Sequence, residues 1–225
     1  MIWKYNCLDA ELLLFYNMSK KDVSNKIPIY KLKTTEDIMK HYDKWGDKYD
    51  SDMVEWNYTA PAETVNTFKK YALNKDIKIF DAGCGTGLVG IELKKIGYTN
   101  VDGADLSTKL LDLIPKNIYK KIEQIDLNKP LNKKGNIYDA VLCVGTFTFG
   151  HVKPPALDEL IRVVKNKGLI CFTVNEGIYK KYGFDRKIKD LSNKKLWDVK
   201  EFFKSDYIVN KDVNAWLCLA EITKL

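Results

Sequence analysis

A short apolar run closed by three alternating glycines constrains this chain more than any other feature. Ile77 to Phe80 alternates as a strand does, and Asp81-Ala82-Gly83-Cys84-Gly85-Thr86-Gly87 follows at once. Leu88, Val89, Ile91, Leu93 and Ile96 then fall on one helical stripe. Glycine has no Cβ, so Gly83, Gly85 and Gly87 let the main chain bend sharply after the strand and leave space for a bound group against the backbone. Gly97 ends the helix and Asn100 to Asp105 reads as a second strand, so the unit is β-α-β and its two strands must be parallel.

The pattern continues down the chain. Ser107 is placed to cap a short helix that Pro115 stops, a third strand is expected at about Tyr119 to Ile125 and a fourth at Tyr138 to Val144. Leu157, Leu160, Ile161 and Val164 mark a helix, and Leu169 to Val174 a fifth strand. Phe202 to Val209 and Ala215 to Ile222, joined by a short turn near Lys211, predict an antiparallel pair. Upstream, Pro61 to Leu73 is expected to be helical, starting on a proline suited to a first turn. Residues 1 to 60 are expected to form an amino-terminal helical cap, and 61 to 225 the core, with an insert at about 175 to 200.

With 225 residues, 45% of them apolar and 30% charged, one domain can close its core without disulfide or metal staples. The five cysteines, Cys7, Cys84, Cys143, Cys171 and Cys218, show no CxxC spacing and no cluster with His41 or His151, so they read as buried thiols of a reducing, cytoplasmic compartment, with no metal site expected. The Leu12 to Tyr16 run, like every other apolar run of the chain, is far short of a membrane span. The net charge of +7 is carried by lysine doublets spread along the whole chain rather than gathered in one stripe, which argues for solvated surface and against a nucleic-acid partner.

Asp105 ends the second strand, where a ribose bound over the glycine turn needs an acceptor for its two hydroxyls, so a nucleoside-containing cofactor is expected. Gly85-Thr86-Gly87-Leu88-Val89-Gly90 also satisfies GxGxxG, a weak motif on its own, and keeps a nicotinamide-dependent oxidoreductase as an alternative. Against it stand Asp81, between strand and glycines, and a chain that ends too soon after the fifth strand for a separate hydride-acceptor domain.

The string Ile79-Phe80-Asp81-Ala82-Gly83-Cys84-Gly85-Thr86-Gly87, with Asp105-Leu106-Ser107 downstream, resembles the signature of class I S-adenosylmethionine-dependent methyltransferases. Ile125-Asp126-Leu127, Tyr138-Asp139-Ala140-Val141-Leu142 and Glu159 to Lys165 look like later blocks of that family in order, so the resemblance covers roughly residues 42 to 174. Tyr42 to Asp50, Tyr58-Thr59-Ala60-Pro61 and Val144-Gly145 look closest to the methyltransferase-like protein of the Williams-Beuren syndrome chromosomal region, a narrower likeness that points to a relative and not to a substrate. The resemblance implies a Rossmann-like α/β fold, a seven-stranded sheet with an antiparallel last strand and helices on both faces. It also implies S-adenosylmethionine as cofactor, with an unidentified small-molecule or protein acceptor. Residue by residue, it places Gly83 and Gly85 beside the methionine portion, Asp105 on the ribose hydroxyls, Leu106 against the adenine and Asp126 at the adenine amino group, with Leu127, Val144, Trp45 and Tyr49 also about the cofactor. A non-catalytic cofactor-binding partner protein is a third reading.

Several residues keep two roles. Asp81 either reaches the methionine amine through a water or caps the glycine turn. Tyr42, Trp45 and Tyr49, at i, i+3 and i+7, share a helix face that either closes over the cofactor or packs on the sheet. His151 is either a proton acceptor or a structural imidazole, Cys84 and Cys143 read as packing residues, and no catalytic residue is identified. The acidic run Asp43, Asp47, Asp50, Asp52 and Glu55 carries no substrate inference. In the insert, Tyr179, Tyr182, Phe184 and Trp197 form either a substrate wall or a cover for the sheet. The fourth strand is followed by Gly145-Thr146-Phe147-Thr148, without the Pro-Pro-aromatic string of nucleobase amino-methyltransferases and without a carboxylate for metal-assisted methylation of catechols.

Overall fold

A computed structural model describes residues 23–224. Cys7 and the Leu12 to Tyr16 run lie outside the described residues, as do the first twenty-two positions of the expected cap. Seven strands form one sheet: β1 (Ile79–Ala82), β2 (Val101–Asp105), β3 (Lys121–Gln124), β4 (Tyr138–Phe147), β5 (Val164–Asn175), β6 (Trp197–Ile208) and β7 (Val213–Ile222), in the order β3-β2-β1-β4-β5-β7-β6. All neighbours pair in parallel except β7, which runs antiparallel to both β5 and β6. The expected reversed strand is therefore present, inserted between β5 and β6.

Helices α1 (Thr35–Glu55) and α2 (Ala60–Phe68) precede the sheet; α3 (Leu88–Lys95), α4 (Thr108–Leu111), α5 (Ala156–Val163), α6 (Glu176–Tyr179) and α7 (Phe184–Asn193) connect its strands. The crossover through α3 steps from β1 toward β3, and that through α5 from β4 toward β7. Right-handed crossovers taken in opposite directions put their helices on opposite faces of the sheet. The reversal between β1 and β4 is the topological switch point, and a crevice opens there at the carboxyl ends of the strands.

Burial explains the strand assignments. β1 is buried on both faces, as a central parallel strand must be, whereas edge strand β3 is largely exposed and carries Lys121 and Glu123, charges that keep a free edge from pairing with another chain. Several boundaries differ from the sequence expectation, among them the end of β4, which runs on to Phe147. α2 stops at Phe68, leaving Leu73 exposed. Tyr119 lies outside β3, for a reason given below. β5 begins at Val164 because an irregularity lets Tyr138 pair with Val164 and Ala140 with Leu169, with Lys167 at φ +63° between them. β6 starts at Trp197, whose ring stacks on Phe172, so the last part of the expected insert is already sheet. The hairpin turns through a short 3-10 segment ending on Asp212 at φ +51°, and Lys26 binds that residue's carbonyl and carboxylate, both at 2.9 Å. Among the described residues no helix is long and apolar enough to cross a membrane.

Candidate cofactor cleft and adjoining chamber

The glycine turn forms the floor of a cleft over the carboxyl ends of β1, β2 and β4. Gly83, Gly85 and Gly87 all have positive φ, +81°, +53° and +93°, a conformation that favours glycine. Their surroundings differ. A Cβ on Gly83 would overlap the side chain of Thr146 at the end of β4, whereas one on Gly85 would meet only Leu110, 4.0 Å away. Gly83 therefore serves the packing of β1 against β4, and Gly85 faces the open space where a ligand can approach the backbone.

The turn's N–H groups are largely spent within the protein. Gly83 and Cys84 both donate to the Ala104 carbonyl, at 2.7 and 2.9 Å, and Gly87 donates to the Cys84 carbonyl at 2.8 Å. Gly85 donates to Asp105 Oδ2 at 2.9 Å, and Ser107 N to Asp105 Oδ1 at 2.9 Å. The carboxylate that caps the turn is thus Asp105. One bond to each oxygen fixes its orientation, and the remaining lone pairs can accept two hydroxyls. Burial pushes its pKa up against the pull of these N–H bonds.

Asp81 lies beneath the floor, fully buried. Its Oδ2 accepts from the Tyr119 hydroxyl at 2.6 Å, and its Oδ1 has no hydrogen-bond partner. Burial pushes its pKa up to about 7, opposed by the Tyr119 bond. The Tyr119 ring occupies a slot that glycine spacing creates: a Cβ at Gly90 would lie 2.5 Å from the ring and one at Gly103 3.1 Å. The last glycine of the GxGxxG pattern therefore admits a tyrosine. A third carboxylate arrives from α1, where Asp50 accepts from Thr86 Oγ1 at 2.6 Å. Asp50, Asp81 and Asp105 surround the turn.

Helix α1 lies across the opening. Gly46 sets it down on α4, since a Cβ there would meet the Lys109 side chain at 2.8 Å, and Lys109 Nζ binds Asp47 at 2.6 Å. Tyr42 and Tyr49 then line the cleft, as do Leu106, Asp126, Leu127 and Val144. Trp45 shares their helix face but lines a neighbouring chamber, its indole donating to Asp52 at 2.5 Å. Tyr42, Tyr49, Tyr58, Gly145 and His151 border both spaces. Of the residues singled out from sequence, the structure gathers Tyr49, Gly83, Gly85, Asp105, Leu106, Asp126, Leu127 and Val144 in the cleft, with Asp81 under it and Trp45 next to it.

His151 has both nitrogens engaged. Nδ1 lies 2.6 Å from the Phe149 carbonyl, which only an N–H can satisfy, so Nε2 is the acceptor for the Tyr42 hydroxyl at 2.9 Å. Burial pushes its pKa down to about 4, keeping it neutral. Cys84 and Cys143 are buried free thiols whose pKa values burial raises, so neither is an activated nucleophile. Tyr179, Phe184 and Trp197 pack on the sheet, against Trp216, Phe147 and Phe172, and Tyr182 lies against Phe149. None of the four lines either space. Tyr58, Tyr119 and Tyr207 were not evident from sequence; only the small residues at 87, 90 and 103 hinted that a bulky ring must fill the gap they leave.

Comparison with known proteins agrees with this geometry. Residues 79–168 match the family described as methyltransferase domain. The human methyltransferase-like protein 27 is 34% identical over 136 residues, covering 59% of this chain and 55% of the relative. A ribosomal protein L11 methyltransferase of Thermotoga neapolitana is 24% identical over 112 residues, 49% of this chain and 41% of that protein. The chain thus spans about half the length of the curated relatives it matches. Among solved structures, the cyclase SpnF superposes with a TM-score of 0.65 at 12% identity, over 85% of this chain and 97% of that one. A SAM-dependent methyltransferase of Thermotoga maritima does so with 0.57 at 17% identity, over 83% and 100%. These likenesses show the fold, a Rossmann-like methyltransferase architecture, and the cyclase among them shows that the fold alone does not determine the reaction.

Proposed function

We propose that the chain is a class I S-adenosylmethionine-dependent methyltransferase acting on a small-molecule or protein acceptor. One observation carries the reading: the glycine turn is ringed by Asp50, Asp81 and Asp105, and its N–H groups at residues 83, 84, 85 and 87 are already bonded. A dinucleotide needs free N–H donors and positive potential at the start of the following helix for its diphosphate. A cationic sulfonium and ammonium fit an acidic surround, so the residues present suit S-adenosylmethionine and oppose a nicotinamide dinucleotide. When bound, that cofactor supplies a methyl group already activated by its positive sulfur.

In this reading Asp105 holds the ribose hydroxyls, Leu106 and Leu127 flank the adenine, and Asp126, its Oδ1 held by Asn128 N at 3.0 Å, meets the adenine amino group. Gly83 and Gly85 border the methionine portion, with Asp81 buried beneath the floor on which it lies, and Tyr49 and Val144 close the sides. Orientation is the chain's contribution to rate; holding reactants in line can account for roughly 7 to 11 kcal/mol of barrier. The same proposal makes α1, with residues 23–34 before it, a cap on the core that runs from 61 to 225. Kinship with methyltransferase-like proteins is supported by the 34% identity to human methyltransferase-like protein 27, and the narrower likeness to the protein of the Williams-Beuren region rests on Tyr42 to Asp50, Tyr58 to Pro61 and Val144-Gly145. A reducing, cytoplasmic location is supported by four buried free cysteines.

Calorimetric titration tests the reading. S-adenosylmethionine should bind one per chain, and Asp105→Ala should weaken it about tenfold to a hundredfold, the loss of charge-assisted bonds worth roughly 1.5 to 3 kcal/mol. Unchanged affinity in that variant would remove Asp105 from the site.

A further inference from the structure

The chamber beside the cleft is walled by rings. Tyr42, Tyr49, Trp45, Trp56, Tyr58 and Tyr207 line it, and it shares Tyr42, Tyr49, Tyr58, Gly145 and His151 with the cleft. Gly145 has φ +77°, and a Cβ there would lie 2.5 Å from the Tyr58 hydroxyl and 3.5 Å from that of Tyr207, so both hydroxyls meet above its backbone at the end of β4. Deeper in, Thr148 is buried beside the Tyr30 hydroxyl.

What lines the chamber restricts what it can take. Among the described residues lining it there is no Lys, Arg, Asp or Glu. An anionic acceptor finds no counter-charge. A hydroxyl, a thiol or a protonated amine must lose a proton to be methylated, and no lining group is suited to take one: the tyrosines are held neutral by burial, and His151 has both nitrogens committed. Ring faces, by contrast, attract a positive charge that lacks a carboxylate partner. The Trp45 indole is the best placed, because its N–H donates to the Asp52 carboxylate and the ring becomes more electron-rich.

Resting on the methyltransferase reading, we propose that this chamber binds the methyl acceptor, and that the acceptor is a small uncharged tertiary amine or aromatic N-heterocycle. The nitrogen lone pair forms the new N–C bond as the C–S bond breaks and its electron pair returns to sulfur. Positive charge passes from sulfur to nitrogen, no proton moves, and the product cation stands among the aromatic faces.

The test uses N-methylquinolinium as the product-like cation, with quinoline and 1-naphthoate as neutral and anionic controls, titrated into the full chain while tryptophan fluorescence is followed. The chain is saturated first with S-adenosylhomocysteine, then separately with S-adenosylmethionine, whose sulfonium should repel a second cation. N-methylquinolinium is expected to bind the S-adenosylhomocysteine complex at least about tenfold more tightly than the S-adenosylmethionine complex, and naphthoate to bind neither. Trp45→Leu should remove about tenfold of the cation's affinity and change that for S-adenosylhomocysteine by less than about threefold, while Trp45→Phe, which keeps a ring, restores most of it. Naphthoate binding as well as the cation, or equal or absent binding of the cation to the two complexes, overturns the inference. Failure of both adenosyl compounds to bind overturns the methyltransferase reading beneath it instead.

Discussion

Replacing Asp81 by Asn should make the protein more stable at alkaline pH. The carboxyl is fully buried, with Oδ1 unpartnered and Oδ2 accepting from Tyr119, and its pKa stands at about 7 against an ordinary 3.8. A carboxyl whose pKa is raised on folding favours the folded state below the unfolded value, and that contribution is lost as pH climbs through the folded one. Between pH 5 and pH 8 the wild-type chain should therefore lose about 3 kcal/mol that the variant keeps, since each pKa unit corresponds to about 1.4 kcal/mol. The asparagine carbonyl can still accept from Tyr119, so the variant should already lead at pH 5, where the unfolded carboxyl is ionised, and its lead should grow by that amount up to pH 8. From pH 5 to pH 8 the variant's lead in melting temperature should grow by about 6 to 12 °C, at about 2 to 4 °C per kcal/mol for a chain of this size. Urea unfolding at several pH values reads the difference directly. Parallel stability curves for the two proteins would show that Asp81 is ionised in the fold and that the buried acid has another partner.

Tyr119→Phe removes the hydroxyl from Asp81 and should cost about 1 to 3 kcal/mol in urea unfolding, with the loss growing above pH 7; equal stability at pH 8 would contradict the bond. Gly83→Ala and Gly85→Ala should part company. The first meets Thr146 and should mainly lower the melting temperature, whereas the second faces open space and should mainly lower calorimetric affinity for S-adenosylmethionine; the reverse pattern would refute the assignment. The chain has two histidines, and in an NMR titration the His151 ring should show no inflection between pH 5 and pH 8, because burial keeps it neutral down to about 4. An inflection near 6.5 would reopen it as a proton acceptor.

What was legible in the sequence was local. The glycine turn, its strand and helix, and Asp105 at the end of the next strand are all backbone requirements of one β-α-β unit, and each falls where its spacing implies. The shared face of Tyr42, Trp45 and Tyr49 was equally legible, but not that the middle ring of the three would face the neighbouring chamber, which depends on how Gly46 seats α1 on α4. Tyr119 and Tyr207 act through partners far away in the chain, and periodicity carries no information about such pairs. Aromatic residues of 175 to 200 could be substrate wall or core, and only the stacking of Trp197 on Phe172 and of Tyr179 on Trp216 assigns them to the sheet. The role of Asp81 was open between two readings. The structure gives the capping of the turn to Asp105 and leaves Asp81 with Tyr119 and a bare oxygen.

The most direct measurement is a crystal structure grown with S-adenosylmethionine. The account predicts adenosyl density across the ends of β1 and β2, with both ribose hydroxyls on Asp105, the adenine against Leu106 and the methyl directed at Gly145. Density for a diphosphate at the start of α3 from a nicotinamide dinucleotide, with the adenosyl compound failing to enter the cleft, would contradict it.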